Sequence, residues 1–552
     1  MRELVTVGEL VAAFLESCGV GCAFGVISIH NMPILDAIAR RKRTRFVPAR
    51  GEAGALCMAD AYARVSGKLG VGITSTGVAA GNAAGSMVEA QTAGTPLLHI
   101  TGQIELAYLD RNRSYIHEAR NQPDMLRAVS KAFFRVWTPE SALGVLREAV
   151  RAALTPPTGP VSVEIPIDVQ QAQIVLPADL KPLLVTPPYA SDEAIDRLAD
   201  RVAAAKRPIL WLGGGARGAA APATRLADLG FAVVTSVNGR GTVPEEHPMT
   251  LGAFNLSPAV EELYATGDLM LVVGSRLRGN ETLKYTLKLP SPILQIDADP
   301  AMDGRAYRNE LFVCGDARDT LERLAARIGN RMSIDPALAG DLGAARAKAH
   351  AAMYATLGPY ARLVDDLMSV IPKGAPWVRD VTVSNSTWGN RMVWLSDPRQ
   401  GVHALGGGIG EGLPMAIGAA MATEGRKTVA LVGDGGLMMN IGELATAVQE
   451  KAEIVMILMN DLGYGVIRNI QDAYYGGRKV YADLTTPDFG LLAKSIGVAH
   501  TRVEHLDQFT TALCAALVTP GPSIVEIDMT KIGPFAKPFA GPPVRAPAEP
   551  KQ

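Results

Sequence analysis

Cysteines, aromatic residues and long apolar runs are all scarce in this chain of 552 residues. Its five scattered cysteines do not form the dense framework of a small disulfide-bonded domain, and they lack the paired spacing of zinc ligands. No run reaches the roughly 20 apolar residues that a membrane span needs, and no signal-peptide pattern is evident. We therefore expect a cytoplasmic protein that has no membrane partner.

An excess of charge of either sign is also lacking, because 54 basic and 55 acidic residues leave a formal net charge of −1. Since nucleic-acid-binding proteins usually carry a basic excess, we expect no nucleic-acid partner. Hydrophobic residues make up 48% of the chain and 56 residues are glycine, which suits sheets that helices cover closely on both faces. The length predicts about three or four domains.

Short apolar runs alternate with helical patterns along the chain, and this alternation predicts three doubly wound α/β domains with parallel sheets. A Pro-rich stretch, QAQIVLPADLKPLLVTPPYA, separates the first domain from the second. The predicted limits are 1–170 for the first domain, 171–190 for a linker, 191–330 for a central Rossmann-like domain, 331–364 for a helical connection, 365–535 for the third domain and 536–552 for a tail.

Two carboxylates follow neighbouring strands in the stretch 427–465. The run VALVG leads into Gly-Asp434-Gly, and the run IVMILM is followed by Asn-Asp461. A strand–helix–strand unit places both strand ends at one edge of a parallel sheet, where open α/β sheets bind ligands. Each motif alone is more often a turn, but their joint placement favours a site that holds Mg²⁺ against a diphosphate.

This stretch resembles the cofactor motif of thiamine-diphosphate-dependent enzymes, in the branch of the acetolactate synthases, benzoylformate decarboxylase and benzaldehyde lyase. The resemblance implies that thiamine diphosphate binds with Mg²⁺, and that the first and third domains bind its aminopyrimidine and its diphosphate. It also implies that the metal is held by Asp434, the side chain of Asp461 and the carbonyl of Gly463. Family members more usually have Asn where Asp461 lies, and the extra negative charge favours the cation but repels the diphosphate.

Residues 52–64, EAGALCMADAYAR, are similar to the family helix whose first Glu hydrogen-bonds the aminopyrimidine ring. By this resemblance Glu52 promotes the imine tautomer that removes the C2 proton of the thiazolium and so generates the ylid. In the family this Glu serves a cofactor on another subunit, so we expect an obligate homodimer, assembled further into a homotetramer. The alternative for Glu52 is an acidic residue that the dipole of its helix favours.

A glycine-rich loop, HALGGGIGEGLP at 403–414, is similar to the family loop GxMGxGLPAAIGAA. The resemblance places Ile409 beneath the cofactor and makes the Gly407 carbonyl an acceptor for the 4′-amino group. The other residues expected to bind the cofactor lie at strand ends or helix starts: Asn82, Ser384, Asn385, Ser386, Gly433, Gly435, Gly436, Asp461, Tyr464 and Gly465.

Two histidines join Glu52 as predicted catalytic residues. His30 lies in FGVISIHNMP and His117 in YIHEARNQPDM, at loops where relatives carry active-site residues. Because imidazole titrates near neutral pH, either side chain could shuttle protons or polarise a carbonyl group. A structural or surface role has about equal weight for each.

A second glycine pattern competes with the first. The segment 213–218, GGGARG, is a literal GxGxxG after the run PILWLG, and alone it suggests a dinucleotide-binding dehydrogenase. In the family the central domain binds FAD, ADP or nothing. We therefore interpret this pattern as a structural relic or a nucleotide site.

The sequence thus predicts a thiamine-diphosphate- and Mg²⁺-dependent enzyme that cleaves or forms a C–C bond next to a carbonyl group. By the resemblance, its substrate is a 2-oxo acid, a 2-hydroxy ketone or an aldehyde, and the reaction passes through an ylid and an enamine. Decarboxylase, carboligase, lyase and acetolactate-synthase-like reactions all stay open. The alternatives are a flavin- or NAD-dependent oxidoreductase that uses residues 213–218, and an acyl-CoA-type lyase or decarboxylase of the same cofactor family.

Overall fold

Three parallel sheets follow one another along the chain in the computed structural model, which describes residues 4–423 and 425–542. Helices flank each sheet, so the predicted fold class of three α/β domains is confirmed. The predicted domain limits stay predictions, and residues 543–552 of the predicted tail lie outside the described residues.

The first domain has eight strands and seven α-helices among the described residues. Its strands are β1 (Leu4–Thr6), β2 (Cys22–Gly25), β3 (Arg45–Pro48), β4 (Gly70–Thr74), β5 (Leu97–Gln103), β6 (Ala132–Arg135), β7 (Pro160–Pro166) and β8 (Gln173–Val175). Its helices are α1 (Val7–Ser17), α2 (Met32–Arg41), α3 (Glu52–Ser66), α4 (Val78–Ala93), α5 (Gln122–Ala128), α6 (Ala142–Leu154) and α7 (Ile167–Gln171). The parallel sheet has the order β3-β2-β4-β5-β7-β6, and β1 pairs with β8 in a separate antiparallel ribbon.

The central domain has a five-stranded parallel sheet. Its strands are β9 (Pro208–Leu212), β10 (Ala232–Thr235), β11 (Leu269–Val273), β12 (Ile293–Asp297) and β13 (Leu311–Cys314), in the order β10-β9-β11-β12-β13. Its helices are α8 (Asp192–Ala203), α9 (Ala220–Asp228), α10 (Pro258–Tyr264) and α11 (Ala317–Ile328), and α12 (Ala337–Leu357) leads to the next domain.

The third domain repeats the strand order of the first. Its strands are β14 (Trp377–Arg379), β15 (Gly401–His403), β16 (Thr428–Gly433), β17 (Ile454–Asn460), β18 (Ala499–Val503) and β19 (Ser523–Asp528), in the order β15-β14-β16-β17-β19-β18. Its helices are α13 (Tyr360–Val370), α14 (Gly412–Met421), α15 (Asp434–Met439), α16 (Glu443–Gln449), α17 (Gly465–Tyr474), α18 (Phe489–Ile496), α19 (Phe509–Val518) and α20 (Met529–Ile532).

The third sheet lies between the other two domains, and β16 shows why. Successive side chains of a strand point to opposite faces of its sheet. Ala430 and Val432 join an apolar cluster with the first domain, whereas Val429 and Leu431 join a cluster with the central domain. A buried strand with apolar residues at every position is therefore what this location requires.

Helices α3 and α14 bring the first and third domains into close contact. At Gly418 in α14, a Cβ atom would lie 2.1 Å from the carbonyl oxygen of Met58 in α3, so only glycine allows this approach. The residue that ends α3, Gly67, adopts a left-handed φ of 70°, as helix-terminating glycines commonly do. Among the described residues, no helix is long and apolar enough to cross a membrane.

Candidate active site

Three aspartates lie at the carboxyl ends of three adjacent strands in the third sheet. Asp380 follows β14, Asp434 follows β16, and Asp461 follows β17. Strands β16 and β17 pair in parallel up to Gly433 and Met459, which brings their ends level. The backbone N–H of Asp461 accordingly lies 3.4 Å from Oδ1 of Asp434, so the structure brings the two predicted metal-binding carboxylates together.

Asp434 is the first residue of the short helix α15 and is only 1% exposed. Its Oδ2 atom is buried and has no hydrogen-bond partner among the described residues. Burial raises the pKa of this carboxyl, and the charge of neighbouring Asp461 raises it further. A buried, unpartnered carboxylate oxygen is costly, and a bound cation would remove that cost.

A cation here would need ligands beyond side chains. Among residues 4–423 and 425–542, no group of three or more His, Cys, Asp or Glu side chains could hold a metal ion. The two aspartates leave room for a backbone carbonyl and for diphosphate oxygens, which are the hard ligands that Mg²⁺ prefers.

Glycines next to the two aspartates allow neighbouring groups to pack closely. A Cβ atom at Gly435 would lie 2.7 Å from the ring of Tyr464, and one at Gly436 would lie 2.7 Å from Oδ2 of Asp380. A Cβ at Gly463 would lie 2.2 Å from the carbonyl oxygen of Ala482. The predicted glycines and Tyr464 therefore line one site.

Gly465 and Gly433 bring the segment after β14 to this site. A Cβ at Gly465 would lie 2.0 Å from Oδ2 of Asp461 and 3.0 Å from Val383. A Cβ at Gly433 would lie 3.2 Å from Thr382, so the chain at 382–383 passes both strand ends.

Ser384, Asn385 and Ser386 lie in the turn that continues from this segment into a short π-helix, Asn385–Gly389. The hydroxyl of Ser384 and Oδ1 of Asn385 are buried and have no partner among the described residues. Two unpartnered polar atoms in the turn that follows Thr382 and Val383 are chemically suited to a bound ligand, and the Ser384 hydroxyl could donate to a diphosphate.

The glycine loop between β15 and α14 is held from below by Asp380. Both oxygens of this carboxylate lie 3.1 Å from the backbone N–H of Gly410. Burial raises the pKa of Asp380 to about 6, although the N–H groups of Val381, Gly412 and Gly410 oppose the shift. The side chain of Asn440 donates to the Gly410 carbonyl at 2.7 Å.

The two loop residues predicted to contact the cofactor lie just before this anchor. Gly407 is exposed and has a left-handed φ of 86°, which favours glycine, and Ile409 is half-buried. The loop thus presents the Gly407 carbonyl and the Ile409 side chain just before the anchored residue Gly410.

Glu52 is the first residue of α3, as predicted. Its Oε2 accepts a hydrogen bond of 3.1 Å from Asn82 in α4, so two predicted cofactor-binding residues lie together. Just before them, the backbone N–H groups of Arg50 and Gly51 each donate to the carboxylate of Glu443 at 3.1 Å. Within the described part of one chain, no hydrogen bond or ion pair joins Glu52 to Asp434 or to the glycine loop.

His30 and His117 form an edge-to-face pair with ring centroids 5.0 Å apart. His30 is 7% exposed, and its Nδ1 lies 3.5 Å from the hydroxyl of Ser75. Burial lowers the pKa of His30, and the neighbouring His117 lowers it further. His117 is exposed and adopts a left-handed φ of 68°. The structure therefore brings both predicted histidines together, next to the carboxyl ends of β2 and β4.

Sequence reasoning missed Asp380, Glu443 and Arg468. Asp380 directly follows a strand, so the signal that pointed to Asp434 was also present there. Glu443 and Arg468 lie within helices that show no motif. The backbone donors to Glu443 lie more than 390 positions away, so no local signal identifies it. Arg468 lies seven positions from Asp461, but an arginine at this spacing is too common to indicate a site.

A separate cavity of about 330 Å³ lies at the carboxyl edge of the central sheet. Its lining includes Gly214 and Gly215 of the predicted GxGxxG, together with Asn238 and Asp297 of the central domain. Thr158 of the first domain closes one side. Burial raises the pKa of the Asp297 carboxyl.

Family comparisons match all three domains. Residues 5–125 match the family described as "Thiamine pyrophosphate enzyme, N-terminal TPP binding domain". Residues 195–324 match its central domain, and residues 382–527 match its C-terminal TPP binding domain.

Similar proteins are known from several organisms. A probable 2-ketoarginine decarboxylase of Pseudomonas aeruginosa is 30% identical over 534 residues, which cover 95% of this chain and 94% of that protein. The acetolactate synthase isozyme 1 large subunit of Escherichia coli is 28% identical over 98% of this chain and 97% of its own length. A probable acetolactate synthase large subunit of Methanocaldococcus jannaschii is also 28% identical, over 94% of this chain and 91% of that protein.

Proposed function

Since the chain belongs to the family of thiamine pyrophosphate enzymes, we propose that it is a thiamine-diphosphate- and Mg²⁺-dependent enzyme that breaks or forms a C–C bond beside a carbonyl group. The observation that supports this best is Asp434, whose buried and unpartnered oxygen lies beside Asp461 at two adjacent strand ends. Carboxylates so placed in an open α/β sheet suit a cation that carries a diphosphate.

The third domain supplies the groups that hold the cofactor. Asp434, the side chain of Asp461 and the carbonyl of Gly463 bind Mg²⁺, and the hydroxyl of Ser384 donates to the diphosphate. Ile409 supports the cofactor from the glycine loop, and the Gly407 carbonyl accepts from its amino group. When bound, thiamine diphosphate supplies a nucleophilic carbon that attacks the substrate carbonyl and an electron sink that accepts the electron pair of the broken bond.

The first domain supplies the groups that move protons. Glu52 would hydrogen-bond the aminopyrimidine ring and hold the proton that the ring exchanges, and Asn82, which donates to its Oε2, would orient the carboxylate. His30 and His117, whose rings lie 5.0 Å apart, would accept a proton from the substrate or return one to it. The lowered pKa of His30 supports this role, because it favours the neutral form of that ring.

A 2-oxo acid is the first substrate class that we propose, and loss of CO₂ is the first reaction. The name of the Pseudomonas relative, a probable 2-ketoarginine decarboxylase, supports this choice. 2-Hydroxy ketones and aldehydes would be substrates or acceptors if the same site also ligates or cleaves carbon chains.

Calorimetry and a substrate screen test the proposal together. Thiamine diphosphate should bind in the presence of Mg²⁺ and fail to bind in EDTA, and Asp434→Ala should abolish the Mg²⁺-dependent binding. Asp472→Ala is the matched control, since this exposed carboxylate of α17 pairs with Lys479 and with none of the groups of the proposed metal site. Undiminished affinity in Asp434→Ala would refute the metal site.

A substrate screen is the second test. Release of CO₂ or aldehyde from a panel of 2-oxo acids, 2-hydroxy ketones and acyl-CoA compounds identifies the substrate.

We further propose that two copies share each site, with Glu52 of one copy serving Asp434 of the other. Glu52 and Asp434 share no hydrogen bond or ion pair within the described part of one chain, which supports this arrangement. Mixing and refolding Glu52→Gln and Asp434→Ala chains gives the test. A shared site leaves one intact site in each mixed dimer and restores about a quarter of wild-type turnover, whereas a site within one chain restores none. Light scattering distinguishes a dimer from the expected tetramer.

The cavity of the central domain supports a second, non-catalytic candidate function, the binding of an adenine nucleotide. It lies where glycines line the carboxyl edge of a parallel sheet, the usual place for nucleotides in such sheets. An absorption band of bound flavin in the purified protein would indicate FAD. Saturable binding of ADP without such a band would indicate a nucleotide alone. If neither is observed, the segment 213–218 is a structural relic.

A further inference from the structure

Glu89 in α4 connects the first domain to the glycine loop of the third. Its Oε1 accepts a hydrogen bond of 2.7 Å from the backbone N–H of Leu405, and its Oε2 accepts one of 2.5 Å from Gly406. Glu89 is only 2% exposed. A Cβ at Gly406 would lie 2.8 Å from Oε2 of Glu89, so a side chain at this position would displace the Glu89 carboxylate.

Arg64 at the end of α3 fixes the position of Glu89. Its Nη2 lies 2.8 Å from Oε1 of Glu89, and its Nη1 donates to the His403 carbonyl at 2.7 Å. Its Nε donates to Oδ1 of Asp60 at 3.0 Å. Arg64 thus contacts the strand before the loop, and Glu89 contacts the loop itself, through charge-assisted hydrogen bonds in a buried setting.

The far end of the loop is anchored independently by Asp380, which accepts from Gly410. Between the anchors lie Gly407 and Ile409, and neither makes a hydrogen bond within the described part of the chain. The conformation of this middle segment is therefore determined by its two ends. One end is held by the third domain and the other by the first.

We propose that Glu89 is a positioning residue, which holds the glycine loop where Gly407 and Ile409 contact the cofactor. This inference rests on the proposed function, because the role of the loop in cofactor binding is part of it. The competing explanation is that the cluster of Arg64, Asp60 and Glu89 only joins two domains. Asp60 discriminates between the two explanations, because it shares Arg64 with Glu89 but, among the described residues, makes no hydrogen bond to the loop.

Glu89→Gln and the matched control Asp60→Asn test the proposal in two measurements. The first is hydrogen exchange of a peptide spanning 403–412 in protein free of cofactor. Glu89→Gln removes the charge and one of the two acceptors, so the Leu405 and Gly406 amides should exchange about tenfold faster. In Asp60→Asn these rates should stay within about twofold of the wild type, even if the melting temperature falls.

The second measurement is calorimetric affinity for thiamine diphosphate at saturating Mg²⁺. It should weaken about tenfold in Glu89→Gln and remain unchanged in Asp60→Asn. Equal effects of the two variants, unchanged amide exchange in Glu89→Gln, or faster exchange with unchanged affinity would each overturn the positioning role. If Glu89→Gln does not fold, Gly406→Ala displaces the same contact from the loop side and should weaken affinity in the same way. Absence of binding by the wild type would instead contradict the proposed function, and the exchange result would still stand.

Discussion

Arg468 pairs with Asp461 at the edge of the proposed metal site. Its Nη2 lies 2.8 Å from Oδ2 of Asp461 and donates to the carbonyl of the same residue at 2.7 Å. Its Nη1 contacts Asp483 at 3.0 Å. Burial raises the pKa of Asp461, and the charge of Arg468 opposes that shift. An aspartate paired with an arginine carries the same net charge as a neutral asparagine, so the extra negative charge expected to repel a diphosphate is balanced within the chain.

Replacing Arg468 with Gln should separate the effects on the two ligands. Without the guanidinium the two carboxylates attract Mg²⁺ alone more strongly, by about threefold to tenfold, and repel the diphosphate by a similar factor. Calorimetric titration with Mg²⁺ alone, and then with thiamine diphosphate at saturating Mg²⁺, measures both. Asp461→Asn combined with Arg468→Gln should restore both affinities, while equal weakening of both in Arg468→Gln would contradict the charge balance.

Changing Glu52 to Gln should leave cofactor affinity within about threefold of wild type and slow the exchange of the cofactor C2 proton at least about a hundredfold. The reason is that the amide keeps a hydrogen bond but cannot pass a proton to the ring. Quenched-flow NMR in deuterium oxide measures the exchange. Asn82→Asp tests the orienting contact separately, because it replaces the donor to Glu52 with a repelling charge. Exchange at the wild-type rate in Glu52→Gln would remove this residue from the mechanism.

The two histidines should act as one unit. We expect His30→Gln and His117→Gln each to lower kcat by about tenfold to a hundredfold, with cofactor affinity unchanged, because each interrupts a proton path beside the substrate. The double variant should lower kcat little more than the more damaging single variant does, as is usual for groups that work together. Strictly multiplicative losses would indicate independent roles, and unchanged kcat in His30→Gln would make it structural.

Glu411 should make stability fall as pH rises. Burial raises its pKa to about 8, and the carboxylates of Glu89, Asp60 and Asp380 add to the shift while Arg64 opposes it. Between its ordinary value of 4.5 and about 8, the folded chain holds a proton that the unfolded chain has lost. The free energy of unfolding therefore falls by up to about 1.4 kcal/mol per pH unit in that window and stops falling above it. The melting temperature of Glu411→Gln should depend less on pH than that of the wild type and should be higher near pH 8. Parallel pH dependences of the two melting temperatures would contradict this role of Glu411.

The fold and the cofactor motif were predictable because both depend on short stretches of sequence. The alternation that defines α/β domains, the glycines beside Asp434 and the start of α3 at Glu52 are all local features. Glu89 and Arg468 were not predictable in this way. The loop amides that donate to Glu89 lie more than 300 positions away, and such long-range contacts follow from packing, which no single window of sequence contains. Arg468 lies only seven positions from Asp461, but the geometry of the turn between β17 and α17, rather than a motif, sets that pairing.

The place of β16 in the molecule has a consequence for how the protein is made. Its alternate side chains complete the apolar clusters of both earlier domains, yet it is synthesised only after residue 427. The first and central domains therefore emerge from the ribosome with apolar faces that nothing yet covers. Translation that stops before the third domain should release an aggregation-prone fragment that requires chaperones. The chain should become resistant to aggregation only once the third domain is complete.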